Sequence, residues 1–227
     1  MKRFLRVAAL GVVLGLLLVL LQHALEMETG PFLRGYGIAA VTVLGVALLC
    51  NILYNNRYRK KVQAAAALLE AGKAAEYIHT IEGLLQTARG RQLKNLLRLN
   101  LTAGYCDLKD YQKAIQILEE LEREPLRGVV RMIQRLNLCV CCFYAGQDAR
   151  ALAVYDASDG IFAPYRGGAA YGKNLAVVDM LADIRRGRYD RARELLATAR
   201  ENWNDGRIAA DFDYIEKLLE EQDHTKG

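Results

Sequence analysis

From Gly35 to Tyr54 the chain runs twenty residues without one charged side chain, and that run restricts the fold more than any other feature. About 20 residues, at 1.5 Å of helical rise each, cross the roughly 30 Å hydrocarbon layer of a bilayer. A second apolar run, Val7–Leu21, precedes it and is extended by Ala24 and Leu25 past Gln22 and His23. Residues 1–54 carry six charged side chains (Lys2, Arg3, Arg6, Glu26, Glu28, Arg34), and residues 55–227 carry the other 51 of 57. Residues 1–55 therefore read as a transmembrane helical hairpin with spans at about 5–25 and 35–54, turning at Gly30-Pro31. Residues 56–227 read as a water-soluble domain, long enough to bury a core.

Basic residues set the expected orientation. Lys2, Arg3 and Arg6 precede the first span, Arg34 alone lies between the spans, and Arg57, Arg59, Lys60 and Lys61 follow the second. Positive residues stay on the cytoplasmic side, so both termini and the soluble domain are expected in the cytoplasm of a cell with a plasma or inner membrane. Tyr36 and Tyr54 sit where interfacial aromatics belong, and Arg57–Lys61 would lie against anionic headgroups. A cleaved signal peptide over residues 1–25 is the competing reading, although Leu21–Met27 offers no good small-x-small site. Five cysteines suit the reducing side: Cys50 in the second span and Cys106, Cys139, Cys141 and Cys142 on expected helices. Their spacing, with no histidine near, reads as free buried thiols rather than a zinc site.

Beyond Asn56 the apolar residues recur at helical spacing and no strand alternation is present, which makes the chain all-α. Only three prolines in 227 residues, with 52% apolar residues, exclude low-complexity and collagen-like classes. Four segments share one layout of helix, tight turn and helix: Leu68–Tyr77, Tyr105–Ala114, Cys142–Ala151 and Asp183–Ala192. Positions 77, 114, 151 and 192 are 37, 37 and 41 residues apart. The expected helices are 56–71 and 74–89, 91–107 and 110–123, 127–145 and 147–157, 171–186 and 188–203. An amphipathic helix over 207–222 caps the exposed end, as stacked repeats require. Asn51–Leu69 holds neither Gly nor Pro, so the second span is expected to run unbroken into the first repeat helix.

In this layout residues 57–203 resemble the tetratricopeptide repeat (TPR) family. Leu101, Tyr105, Asp110-Tyr111, Ala114, Leu118 and Pro125 fall where that family places its packing residues. The resemblance implies a right-handed α-solenoid of about four helix pairs, with Ala114, Ala151 and Ala192 small so that paired helices approach. Tyr111 and Tyr189 would pack behind the turns, and Gly72, Gly146 and Gly187 would end the first helices. The chain departs from the pattern in its step, longer than 34 residues. It also places Tyr77 at a small position, Cys142 and Asp148 at tyrosine positions, and Asp183 where Tyr105 stands.

The same resemblance places a partner-binding groove on the first helix of each unit. It would hold Leu96, Leu99, Ala103 and Cys106, then Ile133, Leu136, Val140 and Phe143, then Val177, Leu181 and Ile184. Leu99 and Ala103 stand where some members clamp a carboxylate, so an amphipathic helix or extended apolar peptide is the expected occupant. The alternative is that these side chains pack between neighbouring helices or under the terminal helix.

Gly167–Lys173 matches the G-x-x-x-x-G-K core of a phosphate-binding loop, but Asn174 replaces the hydroxyl residue and no strand precedes it. Asp156–Lys173 reads instead as a flexible connector. His23, His79 and His224 are scattered, and Glu119–Glu124 and Glu216–Asp223 read as solvated helix faces. The soluble part's net charge is only +3, a weak basis for nucleic-acid binding. The sequence is thus that of a membrane-anchored bacterial-style scaffold, not an enzyme. It is expected to bind a protein or peptide and the lipid bilayer, with no cofactor, metal, nucleic acid or small-molecule substrate. A membrane-complex subunit acting through its hairpin, and an enzyme or nucleotide binder using the 167–173 loop, are the alternatives.

Overall fold

Four tight turns recur at the spacing of the sequence repeat and fix where the helices end. Gly72, Lys109, Gly146 and Gly187 all have positive φ, between 60° and 72°. At each, the turn residue's N–H bonds the carbonyl three residues back, and the next N–H bonds the carbonyl five residues back. Gly72 and Lys73 bond Leu69 and Leu68; Lys109 and Asp110 bond Cys106 and Tyr105. Gly146 and Gln147 bond Phe143 and Cys142; Gly187 and Arg188 bond Ile184 and Asp183. This double bond caps the last carbonyls of a helix and demands a left-handed residue, which is why three of the four are glycine. Lys109 takes that conformation with a side chain.

A computed structural model of the chain describes residues 15, 17–24, 29–203 and 206–224. Every regular element among them is helical: α1 (Thr29–Glu70), α2 (Ala74–Thr87), α3 (Arg91–Asp107), α4 (Tyr111–Glu122), α5 (Gly128–Tyr144) and α6 (Asp148–Asp156) come first. There follow α7 (Asp159–Phe162), a 3-10 turn (Ala163–Tyr165), α8 (Gly172–Arg185), α9 (Tyr189–Asn202) and α10 (Gly206–His224). The ends of α2–α6 and α8–α10 lie within two residues of those the sequence implied. By contacts the chain forms two units, Met1–Lys60 and Lys61–Gly227.

One helix among the described residues is long and apolar enough to cross a membrane. It covers Gly30–Glu70, and its most apolar 18-residue stretch has a mean hydropathy of 2.1 and is unburied. Leu33, Ile38, Val41, Val43, Leu44, Leu48 and Leu53 are exposed along it. As expected, α1 passes without a break from the apolar run into the charged sequence. The expected turn at Gly30-Pro31 is corrected: both residues lie in the first turn of α1. Proline is tolerated there because the first N–H groups of a helix have no intrahelical partner. The first expected span falls largely outside the described residues. Those described in it, 15 and 17–24, are helical.

In the second unit, consecutive helices from α2 to α6 pack as neighbours, as do α8, α9 and α10. Alternate helices also touch, α3 against α5 and α5 against α8, so the second unit is a run of paired helices in a repeat-like order. The core follows the helical period: Ala114, Ile115, Leu118 and Leu121 of α4 and Met132, Leu138, Cys139 and Cys142 of α5 are buried. Ala114, Ala151 and Ala192 are fully buried, as the close approach of paired helices requires. Asp110 caps α4 by accepting from the Lys113 N–H at 3.1 Å. Gln134, itself buried, donates from Nε2 to the Leu118 carbonyl at 2.8 Å and pins α5 to α4.

The departures from the repeat pattern have local explanations. Tyr77 is 2% exposed at a place that elsewhere holds alanine. Gly104 lies against it: a Cβ there would meet Ile78 Cγ1 at 2.6 Å and Tyr77 Cδ1 at 2.8 Å. The Tyr77 hydroxyl donates to the Asn100 carbonyl at 3.0 Å. Asp183 is buried but paired with Arg188 and Arg191, as a buried carboxylate must be. Asp148 accepts from Arg185 Nε at 2.9 Å across the next turn. Residues 156–173 are not an unstructured connector. Phe162 and Ser158 are buried, and Arg166 binds Asp179 through Nε at 3.0 Å and an NH2 group at 3.2 Å.

Candidate functional site

A hollow of the second unit has a volume of about 730 Å3 and opens where three first helices meet the terminal helix. Ala103 and Cys106 of α3, Leu136, Asn137, Val140, Cys141 and Tyr144 of α5, and Asn174 and Val177 of α8 form its floor and sides. Asp107 of α3, Lys109 of the turn and Tyr111 of α4 close one edge; Ala210, Asp211 and Tyr214 of α10 close the other.

The terminal helix is a wall of this hollow. Ile208, Phe212, Ile215 and Leu219 bury its apolar face against α8 and α9. One turn of its other face reaches α5, where the Tyr144 hydroxyl donates to Asp211 Oδ1 at 2.8 Å. Tyr144 also meets the Tyr111 ring at 5.6 Å and the Tyr214 ring at 5.3 Å between centroids. Burial, and then the Asp211 carboxylate, push the Tyr144 phenol well above its ordinary range. It therefore stays protonated and keeps donating to Asp211. Tyr111 is pushed up too, chiefly by burial. The expectation that Tyr111 packs behind its turn is replaced by this place on the rim. Tyr189 instead reaches the terminal helix, donating to Gln222 Oε1 at 3.1 Å.

The eleven residues assigned to a groove separate by position. Ala103, Cys106, Leu136, Val140 and Val177 line the hollow. Leu99, Phe143, Leu181 and Ile184 are buried side chains outside its lining, and Ile133 is half-buried. Leu96, 41% exposed, belongs to a second hollow of about 570 Å3 beside Pro125, Leu126 and Val130. The lining is less apolar than the expected groove, because Asn137, Asn174, Asp107, Lys109 and the three tyrosines enter it. A signal for one asparagine was present: Asn100 and Asn137 are one 37-residue step apart, while Asn174 lies one helical turn before the position equivalent to Asn137 across the 41-residue step. Each amide offers both a donor and an acceptor. Such a mixed lining suits a peptide main chain with apolar side chains better than a purely apolar surface would.

Arg57, Arg59, Lys60 and Lys61 are all exposed on α1. Gly172-Lys173 of the phosphate-loop-like segment begins α8, and a packing requirement explains the glycine. A Cβ at Gly172 would lie 2.6 Å from the Arg166 carbonyl oxygen and 3.0 Å from the Trp203 indole. The five cysteines are free thiols; Cys139, Cys141 and Cys142 are buried and Cys106 half-buried. Cys106 Sγ and Cys141 Sγ lie 3.2 Å apart. Comparison with family models and with curated proteins produced no match for the chain.

Proposed function

We propose that the protein is a membrane-anchored scaffold whose TPR-like, solenoidal helical repeats bind a protein or amphipathic peptide in the 730 Å3 hollow. The observation that carries this reading is the lining itself. Successive first helices contribute small and apolar side chains at equivalent positions, Ala103 with Val140 and Leu136 with Val177, and the amides of Asn137 and Asn174, to one open surface, and aromatic side chains, enriched in recognition sites, rim it. The volume falls within the range of ligand sites.

The anchor in this proposal is a two-span hairpin in the plasma or inner membrane, with both termini and the repeats in the cytoplasm. The distribution of basic residues supports it, above all Arg57, Arg59, Lys60 and Lys61 after the second span. A reporter that is active only outside the cytoplasm, fused after Gly227, should stay silent; activity would overturn the orientation. For the hollow, full-length protein is crosslinked in its native membrane, and wild type is compared with Asn137→Arg and Val140→Glu. Both positions are half-buried at the lining, so folding is checked by thermal melting. Loss of the captured protein by folded variants is the expected result, and unchanged capture would reject the hollow as the binding surface.

A further inference from the structure

We infer that Cys106 and Cys141 form an oxidisable dithiol that closes to a disulfide between α3 and α5 when hydrogen peroxide enters the hollow. The two sulfurs come from different helices, 35 residues apart in sequence, and touch at 3.2 Å. A disulfide bond is about 2.0 Å long, so closure takes about 1.2 Å of approach. Both residues line the open hollow, which brings solvent and a small oxidant to them. Neither Cys139 nor Cys142 lines it. Cys139 instead donates to the Ala151 carbonyl at 3.4 Å.

The chemistry divides the pair into an attacking and a resolving thiol. Cys106 is half-buried and Cys141 buried. The hydrogen bond with Cys141 holds the Cys106 thiol below its ordinary pKa, against an opposing push from burial. The same contact, with burial, raises Cys141. Thiolate is the nucleophile, so Cys106 attacks first. Its sulfur bonds one peroxide oxygen, the O–O bond breaks, and hydroxide takes up a proton and leaves as water. Cys106 is then a neutral sulfenic acid, and the charge that held the Cys141 proton is gone. The Cys141 sulfur attacks the Cys106 sulfur, the S–O bond breaks, and a second water leaves with the Cys141 proton. Two electrons pass from the two sulfurs to one peroxide. Burial pushes the Cys142 thiol up to about 11 and raises Cys139 as well, which leaves both thiols inert beside the reactive pair. In a reducing compartment such a bond is transient and reversed by thiol exchange.

The test uses the full chain in phospholipid nanodiscs, treated with hydrogen peroxide, alkylated, digested and mapped by mass spectrometry. Two of the five thiols should lose alkylation, a peptide joining Cys106 to Cys141 should appear, and dithiothreitol should restore both. Cys106→Ala should abolish the linked peptide, and the double variant Cys139→Ala, Cys142→Ala should retain it. The wild-type map stands without any variant, so a misfolded substitution does not blunt the test. The inference fails if both thiols stay alkylatable while N-acetylcysteine in the same tube is consumed. It fails equally if Cys106 joins a different cysteine, or stops at sulfenic or sulfinic acid without joining Cys141.

Discussion

Tyr77 and Ala114 occupy equivalent places in adjacent repeats, 37 residues apart, and differ by a whole phenol ring. Each is buried to within 2% of full burial, so both sites are packed and neither is a surface exception. The difference is matched on the facing helix. Opposite Tyr77 stands Gly104, whose missing Cβ is the space the ring fills. One step along, the equivalent of Gly104 is Cys141, and across the longer 41-residue step it is Ala182, both buried; their partners by position are Ala114 and Ala151. The repeat thus fixes no single residue at this position, and the bulk of Tyr77 is accommodated by the missing Cβ of Gly104, as dense packing demands. A large residue on one helix is admitted by a small one on the other.

The strongest challenge to that comparison is Tyr77→Ala, which empties a buried site with a glycine behind it. A loss of about 3–5 kcal/mol is expected from the cavity and the lost hydroxyl hydrogen bond to the Asn100 carbonyl, read by denaturant unfolding of the full-length protein. Gly104→Ala comes next. Its Cβ would press on Tyr77 and Ile78, at a cost of about 1–3 kcal/mol. In the Tyr77→Ala background the same change should cost less, because the ring contact is gone while the contact with Ile78 at 2.6 Å stays, a coupling of about 0.5–3 kcal/mol. Strict additivity in that cycle would break the volume account. The smallest effect belongs to the turns. Lys109 holds a φ of 60° where its three counterparts are glycine. Lys109→Gly should therefore gain about 0.5–1 kcal/mol, and a loss would mean that the turns are not equivalent.

The helix pairs could be read from the sequence because their punctuation is local. A left-handed residue followed by a helix start leaves a Gly or Lys-Asp signal within a few residues, and the 37-residue step repeats it. What escaped was set by partners far along the chain. Tyr77 looked like a defect because Gly104 lies 27 positions away. The Cys106–Cys141 contact joins two helices that no local pattern pairs. The 156–173 segment looked like a plain connector, yet Phe162 and the Arg166–Asp179 pair hold it in place. Gly30-Pro31 read as a turn, although proline is equally at home in the first helical turn. Five of the eleven groove residues reach the hollow. A search for apolar positions overlooked the asparagines beside them, although the 37-residue spacing of Asn100 and Asn137 was in view.

The proposed function rests on protein binding at the lining that α3, α5 and α8 build. Its most direct test is site-specific photocrosslinking in the native membrane, with the photoreactive residue at Asn137, at Asn174, or at exposed Glu120 of α4 outside the hollow. The account predicts the same discrete protein adduct from 137 and 174 and none from 120. Adducts from all three positions alike, or from none, would contradict it.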